Sequence, residues 1–211
     1  MSFHPSSFES AFERLVATVG AAIPSAEMAR LHAAFEQRTG AFGPDDPWFE
    51  SRSRAFWDDV MTRQLASTDA VLDAAEPWAL ALRRSHRGLF LSRTEHGALV
   101  LSDILSGAEL LVHEIDEASS DSLAANESVF DGTVVALSHS SGEKARLALL
   151  PGSIFHPEGA EEAIAQVITA ARARGVENGP LLDALLRMEL SLRTLSRVKP
   201  SYAYRPEALT G

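Results

Sequence analysis

The sequence predicts an α+β fold in which helices from both ends of the chain form one layer around a five-stranded antiparallel small barrel of the SH3-like or OB-like kind. Three observations point there. Apolar residues recur at helical spacing up to residue 86, recur at every second position between 87 and 156, and return to helical spacing from 157 to 199. With 211 residues, 45% of them hydrophobic, the chain is long enough to bury a core without a covalent staple, and it has no cysteine to make one.

In the first segment, 1–86, Phe8, Phe12, Leu15, Val16, Val19 and Ile23 fall on one helical face, opened by Ser6 and Glu9 in capping-box register. Met28, Leu31 and Phe35 mark a second helix, with Ser25 at its N-cap and Gly40 past its end. Asp46 and Pro47 then read as N-cap and first-turn proline of a third helix, which places Phe49, Phe56 and Val60 inward with Trp57 beside them. Ser67 or Thr68 caps a fourth through Val71 and Leu72, and Pro77 kinks or ends it by removing a hydrogen bond. Core packing accounts for Trp48, Trp57 and Trp78, while Trp48 beside Phe49 is also a candidate binding anchor.

In the middle segment, 87–156, Leu89 to Arg93, Ala98 to Ile104 and Glu109 to Ile115 are strands joined by tight turns at His96-Gly97 and Ser106-Gly107, which is a meander. The polar stretch Asp116 to Ser128 is too long for a hairpin turn and is either mobile or draped over an edge. Val129 to Leu137 and Lys144 to Leu150 make a last hairpin across Ser138 to Gly142. Five such strands do not leave both faces open to water, so they curl into a barrel or pack one face on the helices.

In the third segment, 157–199, Pro157 opens a helix to Arg174 with Ile164, Val167, Ile168 and Ala171 inward and Gly175 as its stop. Asn178 caps the last helix, where Leu181, Leu185, Met188, Leu192 and Leu195 form a stripe widened by Leu182 and Leu186. That is more apolar surface than one neighbour covers, so the helix is either central to the fold or the seam of a homodimer. Residues 200–211, with Tyr202, Tyr204 and Pro206, are expected as an extended tail.

The stretches Arg87-Gly88-Leu89-Phe90, Leu101-Ser102-Asp103-Ile104-Leu105-Ser106-Gly107-Ala108-Glu109 and Phe130-Asp131-Gly132, preceded by Phe56-Trp57-Asp58, resemble a piece of uncharacterised bacterial proteins related to the SEC-C family. The resemblance covers residues 47–137. It implies a helical segment followed by a small β-unit and no secure activity, and the family's zinc motif has no cysteines here to build it.

Charge is unevenly spread. The net −10 arises in residues 102–162, which carry 12 acidic and 2 basic side chains, whereas the flanking helical parts nearly cancel. An acidic face at Asp116, Glu117, Asp121 and Asp131 repels phosphate backbones and attracts basic partners. Basic candidates are Arg83, Arg84 and Arg87, beside His86, and Arg193 and Arg197 of the last helix, beside Arg187 and Lys199; aligned on one side they would bind an anionic partner, and otherwise they pair with the neighbouring acids.

Motifs for chemistry are missing. Seven histidines form no H-x-H or H-E-x-x-H, and His113-Glu114 sits in a strand where neighbours face opposite ways. Asp116 to Glu127 has the length of a calcium loop but Asp121 where glycine is needed. No G-x-S-x-G elbow and no glycine-rich phosphate loop occurs, and Ser138-His139-Ser140 lies in a turn. No cofactor or metal is expected. The start lacks the pattern of a signal peptide and no apolar run reaches membrane length, so the cytoplasm is the expected compartment.

These readings lead to a non-enzymatic adaptor or regulatory protein that meets a protein partner through an acidic β-unit face. The alternatives are an enzyme with a pocket between barrel and helices, using dispersed carboxylates with His113 or His139, and a nucleic-acid-associated protein using the arginine-bearing helices.

Overall fold

In the computed structural model, which describes residues 5–64, 82, 84–95, 98–114, 120, 123, 129–136, 147–195 and 198–209, Phe12 and Val19 lie two helical turns apart on α1 (Pro5–Ala22). Both are buried, with Leu15, Val16 and Ile23 packed alongside. In α2 (Ser25–Thr39) Leu31 and Phe35 are inward and Gly40 follows the last turn, but the N-cap is Pro24, one residue earlier than expected. The third helix, α3 (Phe49–Asp59), begins two residues after Pro47. The Asp46 carboxylate turns back to accept the Gly43 N–H at 2.7 Å and closes a separate turn, so Phe49 starts the helix and is exposed rather than buried. Past Asp59 the chain widens into a π-helical turn, Val60–Gln64, which buries Val60 and Met61. Leu82 joins the same core; the helix expected from 67, the break at Pro77 and Trp78 lie outside the described residues.

The strands are β1 (His86–Glu95), β2 (Ala98–Asp103), β3 (Glu109–Glu114), β4 (Phe130–Ala136), β5 (Leu147–Leu149) and β6 (Ile154–Phe155). The meander β1–β2–β3 is antiparallel, β4 pairs antiparallel with both β1 and β5, and β3 closes the ring on β5. That closing pair is parallel, so the five-stranded barrel is mixed and not purely antiparallel as expected. The short β6 extends the same edge of β4 that β5 occupies, between Phe130 and Asp131.

Alternation sorts the barrel residues. Phe90, Leu101, Val112, Phe130, Val134 and Leu149 fill the inside. Gly88 and Gly132 face each other across β1 and β4, and a Cβ on Gly88 would stand 2.6 Å from the Phe90 ring, so glycine is what lets that ring lie over the strand.

On the outside, Val135, Ala148 and Leu150 pack against α1–α3, while Leu89 and Val129 pack against the two C-terminal helices, α4 (Glu161–Ala173) and α5 (Asn178–Thr194). Helix α5 is buried on nearly every side: Leu186 faces the N-terminal helices, and Leu181, Leu185, Met188 and Leu192 face α4 and the barrel. The stripe proposed as a homodimer seam is therefore covered by the chain itself, and of that set only Leu195 is exposed. Pro157 and Ala160 close a turn before α4 instead of opening the helix. The end of the chain is not an extended tail. Residues Pro200–Tyr202 and Pro206–Leu209 form 3-10 turns, and Ala203 and Tyr204 are buried against the α4–α5 core. No helix among the described residues is long and apolar enough to cross a membrane.

Candidate functional site

Strand β4 explains why charge is buried where helices meet barrel. Its odd positions, Val129, Asp131, Thr133 and Val135, point away from the barrel interior toward the helices, so Asp131 is only 5% exposed. A carboxylate taken out of water needs a charged partner with good geometry. Arg87, on the same face of β1, provides it with two bonds, Nε to Oδ1 and Nη2 to Oδ2, both 2.9 Å. Its remaining nitrogen, Nη1, donates to Asp183 of α5 at 2.6 Å.

Asp183 also accepts from Arg38 of α2 at 2.9 Å, and Arg38 reaches Asp59 at the end of α3 at 2.7 Å. Arg63, in the π-helical turn, lies 3.3 Å from Asp59 and 3.6 Å from Asp183. Three arginines thus meet three aspartates and fasten α2, α3, α5, β1 and β4 together.

Electrostatics follow from this arrangement. Burial pushes the Asp131 carboxyl above its ordinary value against the pull of Arg87. Burial acts the same way on Asp183, but Arg87 and Arg38 outweigh it and hold that carboxyl low. Burial works against the Arg87 charge too, yet its two aspartates raise it well above the ordinary value, so it stays charged.

A cleft of about 210 Å³ opens beside these pairs, with Asp59, Thr62, Arg63, Ser85, Arg87 and Asp131 among its lining residues. Its floor includes Gly152, in the Pro151–Ser153 excursion between β5 and β6. There the Gly152 N–H donates to Asp58 of α3 at 2.9 Å, and a Cβ would sit 2.5 Å from that carboxylate and 2.7 Å from the Ala55 backbone.

A second buried polar cluster lies deeper. Arg52 of α3 pairs with Glu189 of α5, both fully enclosed, and also donates to the Thr39 and Leu186 carbonyls. Glu189 takes a further bond from Arg193. Nearby, His156 Nδ1 lies 2.7 Å from the Tyr204 hydroxyl in an enclosed pair. Burial, aided by Arg52 and Arg193, lowers His156 to about 3, so the imidazole is neutral at ordinary pH.

Of the acidic face expected from sequence, Asp131 is turned inward and paired, because both faces of β4 are covered; Asp116, Glu117 and Asp121 lie outside the described residues. Among the basic candidates, Arg87 serves Asp131 and Asp183 and Arg193 serves Glu189, so neither stands as an open basic patch. Arg84 is exposed, and Arg83 and Arg197 are outside the described residues. His113 stands on the exposed side of β3, where its Nδ1 accepts the Leu147 N–H at 3.4 Å, away from the cleft lining; His139 is not among the described residues. Trp48 packs against the core.

His86, Asp103 and Ser106 do come together, but in the wrong order for a nucleophile. The Ser106 hydroxyl donates to Asp103 at 2.5 Å and His86 Nε2 lies 2.9 Å from the same oxygen, so the carboxylate takes the place the imidazole would need. With the Leu105 N–H also donating to Asp103, the group secures the β2–β3 turn.

The sequence reading missed Arg38, Asp59, Arg63 and Asp183. The signal was available for the last: a helix apolar nearly all round is buried, so an aspartate within it requires a cation. Among the described residues no cluster of histidine and carboxylate side chains is suited to hold a metal ion. Comparison with protein-family models, with curated proteins and with solved structures gives no match.

Proposed function

We propose that the protein is a non-enzymatic adaptor or regulatory protein of the cytoplasm, and that its helix–barrel junction receives a basic protein partner. The observation carrying this reading is the engagement of the junction carboxylates. All six oxygens of Asp59, Asp131 and Asp183 lie 2.6–3.3 Å from arginine nitrogens. A general base needs a lone pair within reach of a substrate proton, and a nucleophilic carboxylate needs an unengaged oxygen. An arginine on every oxygen fixes these carboxylates in orientation and leaves each oxygen only its second lone pair; together they form a rigid array of charge, which serves selective recognition. The sign of the partner comes from the net −10 and its concentration in residues 102–162, which draws cations toward the barrel half. The resemblance of residues 47–137 to SEC-C-related proteins enters only as architecture.

Selection of a random peptide library on the immobilised protein tests the proposal. Enrichment of arginine- and lysine-rich sequences, with binding lost at high salt as screening shortens the reach of surface charge, is the expected result. Enrichment of acidic or purely apolar sequences, or of none, overturns it.

A further inference from the structure

We propose that Arg63 is a self-bound stand-in for the partner's basic side chain: an incoming guanidinium enters the cleft, displaces Arg63 and pairs with Asp59 and Asp183. The inference rests on the adaptor reading above and names the chemistry of its site.

Arg63 differs from the two arginines beside it. Arg87 contacts its carboxylates at 2.6–2.9 Å, and Arg38 reaches Asp59 at 2.7 Å and Asp183 at 2.9 Å, within the range of charge-assisted hydrogen bonds, with a longer contact of 3.3 Å to the second Asp59 oxygen. Arg63 stands at 3.3 Å from Asp59 and 3.6 Å from Asp183, and its side chain is 39% exposed at the cleft. The two carboxylates are 8% and 7% exposed and are held by Arg38 in any case, so they stay in place when Arg63 leaves. With Arg63 docked, three positive charges face three negative ones. Once it swings into solvent, the junction is left with one more negative charge, which favours entry of another cation.

A guanidinium fits better than an ammonium. The acceptors are separate carboxylate oxygens already bridged by the planar fork of Arg38, a geometry that a point charge matches less well. Arg63 also sits in the π-helical turn Val60–Gln64, a wider winding that recurs at functional sites. On the cleft wall the Thr62 hydroxyl, which donates to the Asp58 carbonyl at 2.7 Å, keeps lone pairs to accept from the remainder of the ligand, and Ser85 adds a second hydroxyl.

Argininamide, titrated calorimetrically into the full chain, tests this. An exposed ion pair of this kind has a docking constant of about 2–5, so Arg63→Ala should bind argininamide about three- to sixfold more tightly than the wild type. Asp59→Asn should bind it at least tenfold more weakly, and thermal melts show which variants are folded; Arg63→Gln replaces Arg63→Ala if the latter unfolds. Equal or weaker binding by the folded Arg63 variant, or undiminished binding by Asp59→Asn, overturns the inference. If selected basic peptides bind but argininamide does not compete with them, the adaptor reading survives and the Arg63 site falls. If argininamide binds as described while peptide selection fails, the site stands and the protein-partner reading falls.

Discussion

Arg87 of β1 and Asp183 of α5 are 96 positions apart in the chain and 2.6 Å apart in the fold. Between them they join the barrel to the helix that the N-terminal helices also pack on, and Arg87 simultaneously neutralises Asp131. Its removal strands the Asp131 carboxylate away from water and takes one of the arginines from Asp183, which keeps Arg38. Arg87→Ala is expected to cost about 3–5 kcal/mol in urea unfolding, the usual penalty for breaking a buried pair from one side. Adding Asp183→Asn to that variant should cost much less than in the wild type, which a double-mutant cycle measures directly.

The close approach at Gly152 gives a second expectation. Gly152→Ala puts a methyl group against the Asp58 carboxylate and the Ala55 backbone of α3. Since neither the strand edge nor the helix yields cheaply, the variant should lose about 1–3 kcal/mol, read from denaturant midpoints.

His156 makes stability depend on pH. Its folded value is lowered to about 3 from an ordinary 6.5. As pH falls through 6.5 the unfolded chain gains a proton that the folded chain does not, so the unfolded state is favoured and stability declines toward pH 3. The slope from this group is at most about 1.4 kcal/mol per pH unit. His156→Gln should flatten the profile between pH 6 and 4 by about that amount, as followed by chemical denaturation across the range.

The α5 stripe separates core from seam. Leu185→Ala should cost about 2–5 kcal/mol, since the side chain is fully enclosed within one chain. Leu195→Ala, at an exposed position, should change stability by less than about 0.5 kcal/mol. Light scattering should return the same mass for the folded wild type and Leu195→Ala; dissociation on that substitution would restore the seam.

How far the fold was legible depended on whether the information was local. Leu89, Leu101 and Val112 announced their strands through alternation, and Phe12, Phe35 and Ile168 announced their helices through spacing. The parallel meeting of Val112 with Leu147 had no local sign, because turns dictate hairpins but not which distant edges meet. The site was harder still. Asp131 is expected on an exposed acidic face because acids are usually solvated, although Val129 and Val135 on its own face already imply that something covers it. No spacing or motif marks Arg38, Asp59 and Arg63, and only the packing of α2, α3 and α5 brings them beside Asp183. Tyr204 was assigned to an extended tail because proline and tyrosine carry no period, yet its ring and hydroxyl are fitted against His156.

The parallel seam between β3 and β5 bears on folding kinetics. A meander forms by zipping neighbouring strands, each step closing only a short loop. Closing the ring takes two pairings that no hairpin supplies, β1 with β4 and β3 with β5, each a non-local event with a larger entropic cost. Substitutions at the β3–β5 seam test how its closure enters the folding barrier. If the seam closes after the barrier, they quicken unfolding more than they slow folding, leaving an open-ringed chain whose free strand edges are the surfaces most prone to pair with other molecules.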